Sequence, residues 1–89
     1  MLRITKTFTN GRRVVFKLEG KITDQWAALL DGECRAALRN RRHVELDCAG
    51  VDYVDPKGVE VLKSLPRKHV TLTSTPEYVK ELLQIGGRS

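Results

Sequence analysis

Aromatic side chains are scarce in this 89-residue chain, which has one tryptophan, two tyrosines and two phenylalanines; cysteine and histidine number two each, and proline three. Each shortage excludes something. Cys34 and Cys48 have no spacing that suggests a metal site or a redox pair, and they read as small buried hydrophobes. His43 and His69 each sit beside a basic cluster, without thiols or carboxylates at ligand spacing, so no metal is expected. No apolar run approaches the roughly 18 residues of a membrane span, and Met1 to Arg13 lacks the apolar stretch and cleavage site of a secretory leader. The expectation is a soluble cytoplasmic protein. There is also no glycine-rich phosphate loop, nucleophile elbow or zinc-binding helix motif, and no histidine paired with a nucleophile. The chain is therefore expected to be no enzyme and to carry no cofactor.

What the chain does have is an ordinary globular composition, 40% hydrophobic and 30% charged, with a basic excess of +5. That excess permits an anionic partner without demonstrating one. Its length suits one small domain over residues 1–89, with a core but little surplus stability. Linkers, internal repeats and low-complexity segments are absent.

The hydrophobic pattern resolves into seven elements. Leu2 to Phe8 and Val14 to Leu18 alternate as strands around Asn10-Gly11, a strong hairpin signal because both residues tolerate positive φ. After Glu19-Gly20-Lys21-Ile22, Thr23 or Asp24 caps a long helix with the apolar stripe Trp26, Leu29, Leu30, Cys34, Ala37 and Leu38. Gly32 weakens that helix and marks a possible bend. Arg39-Asn40-Arg41-Arg42 ends it with positive charge at the negative pole of its dipole. Val44, Leu46 and Cys48 alternate as a third strand, which Ala49-Gly50 interrupts.

Asp55-Pro56-Lys57-Gly58 then opens a short helix. Asp at the N-cap accepts a first-turn N–H and suits the positive dipole end. Proline in the next position loses nothing, because its missing N–H has no intrahelical partner there. Val59, Leu62 and Leu65 follow at helical spacing until Pro66 ends the run. His69 to Thr73 is a fourth strand. Thr75-Pro76-Glu77 repeats the cap-and-proline device for a last helix carrying Val79, Leu82 and Leu83, stopped by Gly86-Gly87. The order β-β-α-β-α-β-α predicts an α/β fold in which a mixed four-stranded sheet has helices packed against it.

Three motifs in this order resemble the STAS family, which includes bacterial anti-sigma factor antagonists: Leu18-Glu19-Gly20-Lys21-Ile22; Leu46-Asp47-Cys48-Ala49-Gly50-Val51 with Asp55 and Gly58 beyond; and Glu81-Leu82-Leu83-Gln84-Ile85-Gly86. The resemblance covers essentially the whole chain. It implies a non-enzymatic regulatory module that binds a protein partner, with a hydroxyl residue after the Asp of the second motif phosphorylated to end binding. A dianionic phosphate at a helix start on a binding face would oppose a close contact. Here Pro56 and Lys57 stand in the hydroxyl positions, so that switch is missing. The family's regulatory members often carry Asp after Gly-x-Leu, where this chain reads Gly20-Lys21-Ile22-Thr23, with Asp24 out of register. The chain is also shorter than is usual for the family.

On this resemblance the partner-binding residues are Lys21, Thr23, Asp24, Asp55, Pro56, Lys57, Gly58, Thr73, Ser74 and Thr75, with Ser74 or Thr75 as alternative phosphosites. A plainer reading keeps Asp55, Pro56 and Gly58 as a stable helix start. Asp47, Asp52 and Asp55 are better explained by capping and loop hydrogen bonds than by a cation. The sheet that the resemblance implies would also gather Arg12, Arg13, Arg39, Arg41, Arg42, Arg67 and Lys68 at one pole, opposite Glu19, Lys21, Asp47, Asp52, Asp55 and Lys57. The alternative function is binding of nucleic acid or an acidic surface through that basic pole, although no aromatics interleave with the arginines.

Overall fold

The computed structural model describes residues 1–87. Its elements are β1 (Leu2–Thr9), β2 (Arg13–Ile22), α1 (Asp24–Arg39), β3 (His43–Val54), α2 (Pro56–Ser64), β4 (Val70–Thr73) and α3 (Glu77–Gly87). The sheet order is β1-β2-β3-β4, antiparallel between β1 and β2 and parallel thereafter. This is the expected mixed α/β architecture.

Alternation decides which face the helices cover. Val14, Phe16 and Leu18 of β2 are buried, as are Val44, Leu46 and Cys48 of β3, while Val15, Lys17, Glu45 and Asp47 point the other way and stay partly or fully exposed. Only one face of the sheet is therefore packed. Against it α1 sets Ala27, Leu30, Cys34 and Ala37, and α2 sets Gly58, Val61 and Leu62. Leu29, placed by the sequence in the α1 stripe, is 47% exposed. It lies one residue, about a quarter-turn, off the true stripe, and Ala27 takes its place. On α2, Val61 is buried beside Leu62, and Val59 packs half-buried against the same core.

Several expected boundaries shift for local reasons. The β1–β2 turn forms at Asn10-Gly11, but neither residue has positive φ. Instead the Asn10 Oδ1 accepts the Arg12 and Arg13 N–H groups, both at 2.8 Å, so the side chain builds the turn. Helix α1 passes through Gly32 without a break. β3 does not stop at Ala49-Gly50; it continues to Val54 with two bulges, since Lys17 pairs with Asp47 but Glu19 with Gly50, and Gly20 with Val51 but Lys21 with Tyr53. Leu65, held extended before Pro66 at ψ 137°, ends α2. The stop expected at Gly86-Gly87 falls at the limit of the described residues, with both glycines inside α3.

Gly20 is required by geometry. At φ 109° it lies in the left-handed region, and a Cβ there would strike the Met1 carbonyl, which accepts the Lys21 N–H at 2.8 Å.

Candidate functional site

β2 and β3 end side by side, where the Asp55 N–H donates to the Ile22 carbonyl at 3.2 Å. Both α1 and α2 start from these ends. The half-buried Asp55 is the N-cap of α2, its Oδ1 accepting the Gly58 N–H at 2.7 Å. Its Oδ2 accepts the Asp24 N–H at 3.1 Å. One carboxylate thus faces the positive ends of two helices. Thr23 holds the N-cap position of α1, but its side chain makes no capping bond, and Asp24 is strained at φ 40°. The expectation that Thr23 or Asp24 supplies the cap is corrected: Thr23 has the position, while the capping oxygen comes from Asp55, 31 residues away from Asp24.

Around this junction Pro56 and Lys57 are exposed and Gly58 is buried. A Cβ on Gly58 would collide with the Ile22 carbonyl and with Val54. Gly58 therefore lets α2 seat against the sheet. Lys57 approaches Glu60 at 3.4 Å, and Lys21 approaches Asp52 at 3.1 Å. Both pairs are solvent-exposed and weak, so they leave the lysines available to a partner at little cost. Among the acidic residues singled out by the sequence, Asp52 meets Lys21, Asp55 meets helix N–H groups, and Asp47 accepts the Ala49 N–H at 3.1 Å.

Thr73 is not level with Asp55. The last β3–β4 pair is Asp47 with Thr73, whereas β2 and β3 continue from the level of Lys17 to that of Ile22. β4 therefore ends roughly 16 Å short along the strands, at about 3.3 Å per residue. Thr73 donates to the Leu46 carbonyl at 3.4 Å, and Ser74 is exposed at φ 52°. The structure brings together Lys21, Thr23, Asp24, Asp55, Pro56, Lys57 and Gly58, and leaves Thr73 lower on the molecule, with the Thr75 side chain against Cys48.

Two residues outside the expected set stand beside the junction. Tyr53, at the end of β3, and Tyr78, in the first turn of α3, are 47% and 38% exposed, and together with Val54, Pro56, Val59 and Leu82 they line a shallow depression of about 590 Å³. Partial burial, with Asp52 and Tyr53 nearby, raises the Tyr78 hydroxyl above its ordinary pKa. Exposed aromatics around an apolar hollow are the composition of protein interfaces. The sequence held no signal that separates them from core residues: Tyr53 lies between Val51 and Val54, and Tyr78 lies four residues before Leu82.

At the opposite pole the strands begin. The Arg42 Nε donates to the Asn10 carbonyl at 2.9 Å, His43 N–H to the Arg12 carbonyl at 2.7 Å, and Val44 N–H to the His69 carbonyl at 2.8 Å. These bonds knit the three loops carrying Arg12, Arg13, Arg39, Arg41, Arg42, Arg67 and Lys68 into one end. None of those cations is in an ion pair among the described residues. The sequence shows no aromatic interleaved there, but the hairpin folds Phe8 under the Arg13 guanidinium, 4.8 Å from the ring centre.

Cys34 and Cys48 are free and buried. Burial pushes the Cys34 thiol up to about 12 and the Cys48 thiol up to about 11, with the Thr75 side chain pulling the latter partly back. Such thiols stay protonated and unreactive at neutral pH.

A family model described as "Mlab, STAS domain" matches residues 6–88. No curated protein matches the chain. Among solved structures, that of the anti-sigma factor antagonist SpoIIAA in its unphosphorylated form is similar with a TM-score of 0.75 at 13% identity, covering 94% of this chain and 84% of that one. An uncharacterized DUF3478 protein with a SpoIIAA-like fold from Shewanella loihica PV-4 is similar with a TM-score of 0.59 at 16% identity, covering 97% and 76%. At these identities the two structures establish the shared fold.

Proposed function

The chain belongs to the STAS domain family, and we propose accordingly that it is a non-enzymatic regulatory module, similar to an anti-sigma factor antagonist, that binds a protein partner at the pole carrying Asp55, Pro56, Lys57 and Gly58. The observation that carries this reading is the exposed helix start at Pro56 continuous with the Tyr53–Tyr78 depression. An apolar hollow offers anchor burial, and the exposed lysines Lys21 and Lys57 adjoin, in register or in sequence, the lining residues Tyr53 and Pro56. Pro56 supplies no hydroxyl, so binding is constitutive, or is controlled by something other than phosphate at this position. Thr73 contributes less to this contact, because β4 ends short of it, while Ser74 and Thr75 lead into the turn of α3 that carries Tyr78.

Affinity capture from the native host, with wild-type and variant proteins quantified side by side, tests the reading. Lys57→Glu should lose the captured partner, and Arg41→Glu with Arg42→Glu should keep it. The reverse pattern would instead support the second reading, an anionic partner at the basic pole. That reading is favoured by one observation: the cations gathered there are unpaired among the described residues.

A further inference from the structure

β4 is the outer strand of the sheet, with β3 on one side and no strand on the other among the described residues. A groove of about 730 Å³ runs along it, and three consecutive strand residues, Val70, Thr71 and Leu72, line it. Successive side chains of a strand point to opposite faces, so contact with three in a row places the groove at the backbone edge rather than over either face. The Val44 N–H donates to the His69 carbonyl at 2.8 Å. Parallel ladders use alternate residues of each strand, so Thr71 and Thr73 turn their backbone groups toward β3, and Leu72 turns its N–H and C=O toward the open edge.

The same groove is rimmed by Lys63 from the end of α2, Arg67 from the loop before β4 and Lys80 from α3, and no acidic residue lines it among those described. None of the three cations is in an ion pair among the described residues. Its inner wall is apolar, with Leu62 and Leu83. An open strand edge, an apolar wall and three converging cations describe one kind of occupant.

We propose that this groove receives an extended acidic segment of a protein partner, which adds to β4 as a fifth strand and sets its carboxylates against Lys63, Arg67 and Lys80. Backbone pairing would supply the affinity, and the cations the choice of partner. A second copy of this chain is disfavoured by the same cations, which would meet themselves across a β4–β4 contact. The inference stands apart from the reading of the Asp55 pole, because the groove residues and the Asp55–Gly58 turn are different sets.

The test is an NMR titration of the intact protein with a short, end-blocked synthetic peptide in which glutamate alternates with valine. The proposal predicts saturable shifts centred on the amides of Val70 to Thr73 and slowed exchange of the Leu72 amide. Binding should weaken about tenfold or more in the triple variant Lys63→Glu, Arg67→Glu, Lys80→Glu. Two further arms use the wild-type protein, so they hold even if that variant folds poorly. A peptide methylated on alternate backbone nitrogens should not bind, and nor should one alternating lysine with valine. Equal binding of either control, or shifts centred on Asp55–Gly58, would overturn the proposal. So would capture of octanoate in place of the peptide, which would mark a site for small anionic amphiphiles. Shifts of β4 on concentrating the protein alone would assign the edge to a second copy and overturn it equally.

Discussion

Asp55 serves two helices with one side chain, so its removal is felt twice. Asp55→Ala abolishes the bonds to the Gly58 and Asp24 N–H groups and should cost about 2–3 kcal/mol, since a single cap is typically worth about 0.5–2 kcal/mol. Asp55→Asn keeps one acceptor oxygen and should lose roughly half as much. Urea denaturation of the three proteins checks this; equal stability of Asp55→Ala and wild type would refute the double cap. The cap on α2 is legible in the sequence because donor and acceptor lie three residues apart. The bond to Asp24 is not, because it spans 31 residues and depends on where β2 and β3 end. Gly58 belongs by sequence to a binding loop, yet its required smallness concerns the Ile22 carbonyl beneath it.

The buried thiols give a second prediction at this scale. Folded Cys34 and Cys48 ionise only near about 12 and about 11, whereas unfolded thiols ionise near 9.0. As pH rises past 9, the unfolded chain releases protons that the folded chain retains, so folding stability is lost. The slope should reach about 1.4 kcal/mol per pH unit for each thiol. Below pH 9 the contribution is fully present. Denaturation midpoints between pH 8 and pH 10.5 should therefore fall in the wild type and flatten in a variant with both cysteines replaced by alanine; parallel profiles would contradict this origin.

At the scale of elements, period and punctuation carry most of the fold. All three prolines sit at helix boundaries: Pro56 opens α2, Pro66 follows its end, and Pro76 precedes α3. The β2–β3 bulges are not legible, because a bulge is fixed by the neighbouring strand, and the sequence shows only a break at Ala49-Gly50. Leu29 joins the α1 stripe on apolar character alone, which does not reveal the angle at which the helix meets the sheet. Gly32 offers a simple check on α1. It lies in the helix interior and an added Cβ would meet nothing within 4 Å. Gly32→Ala should stabilise the protein by about 1 kcal/mol, the ordinary helix preference. A neutral or destabilising result in thermal unfolding would show a local constraint at that position.

For the whole molecule, the parallel run of β2, β3 and β4 creates two unlike ends. Strand starts and the α1 C-terminus collect arginines, while the extended ends of β2 and β3 present a helix start, two weakly paired lysines and two exposed tyrosines. The charge polarity is legible because it follows from topology. The Tyr53–Tyr78 hollow is not, since it needs α3 folded back beside the end of β3. Likewise the separation of Thr73 from Asp55 depends on the short length of β4, which no local signal sets.

The most direct measurement is the dissociation constant of the captured partner for the wild type, Pro56→Ser and Pro56→Glu. Pro56→Ser keeps the Asp55 cap and restores only a hydroxyl, so it should bind like the wild type. Pro56→Glu brings charge and bulk to the centre of the proposed contact and should bind about tenfold or more weakly. Equal affinity of all three, with each folded, would contradict the account by showing that the partner does not touch this helix start.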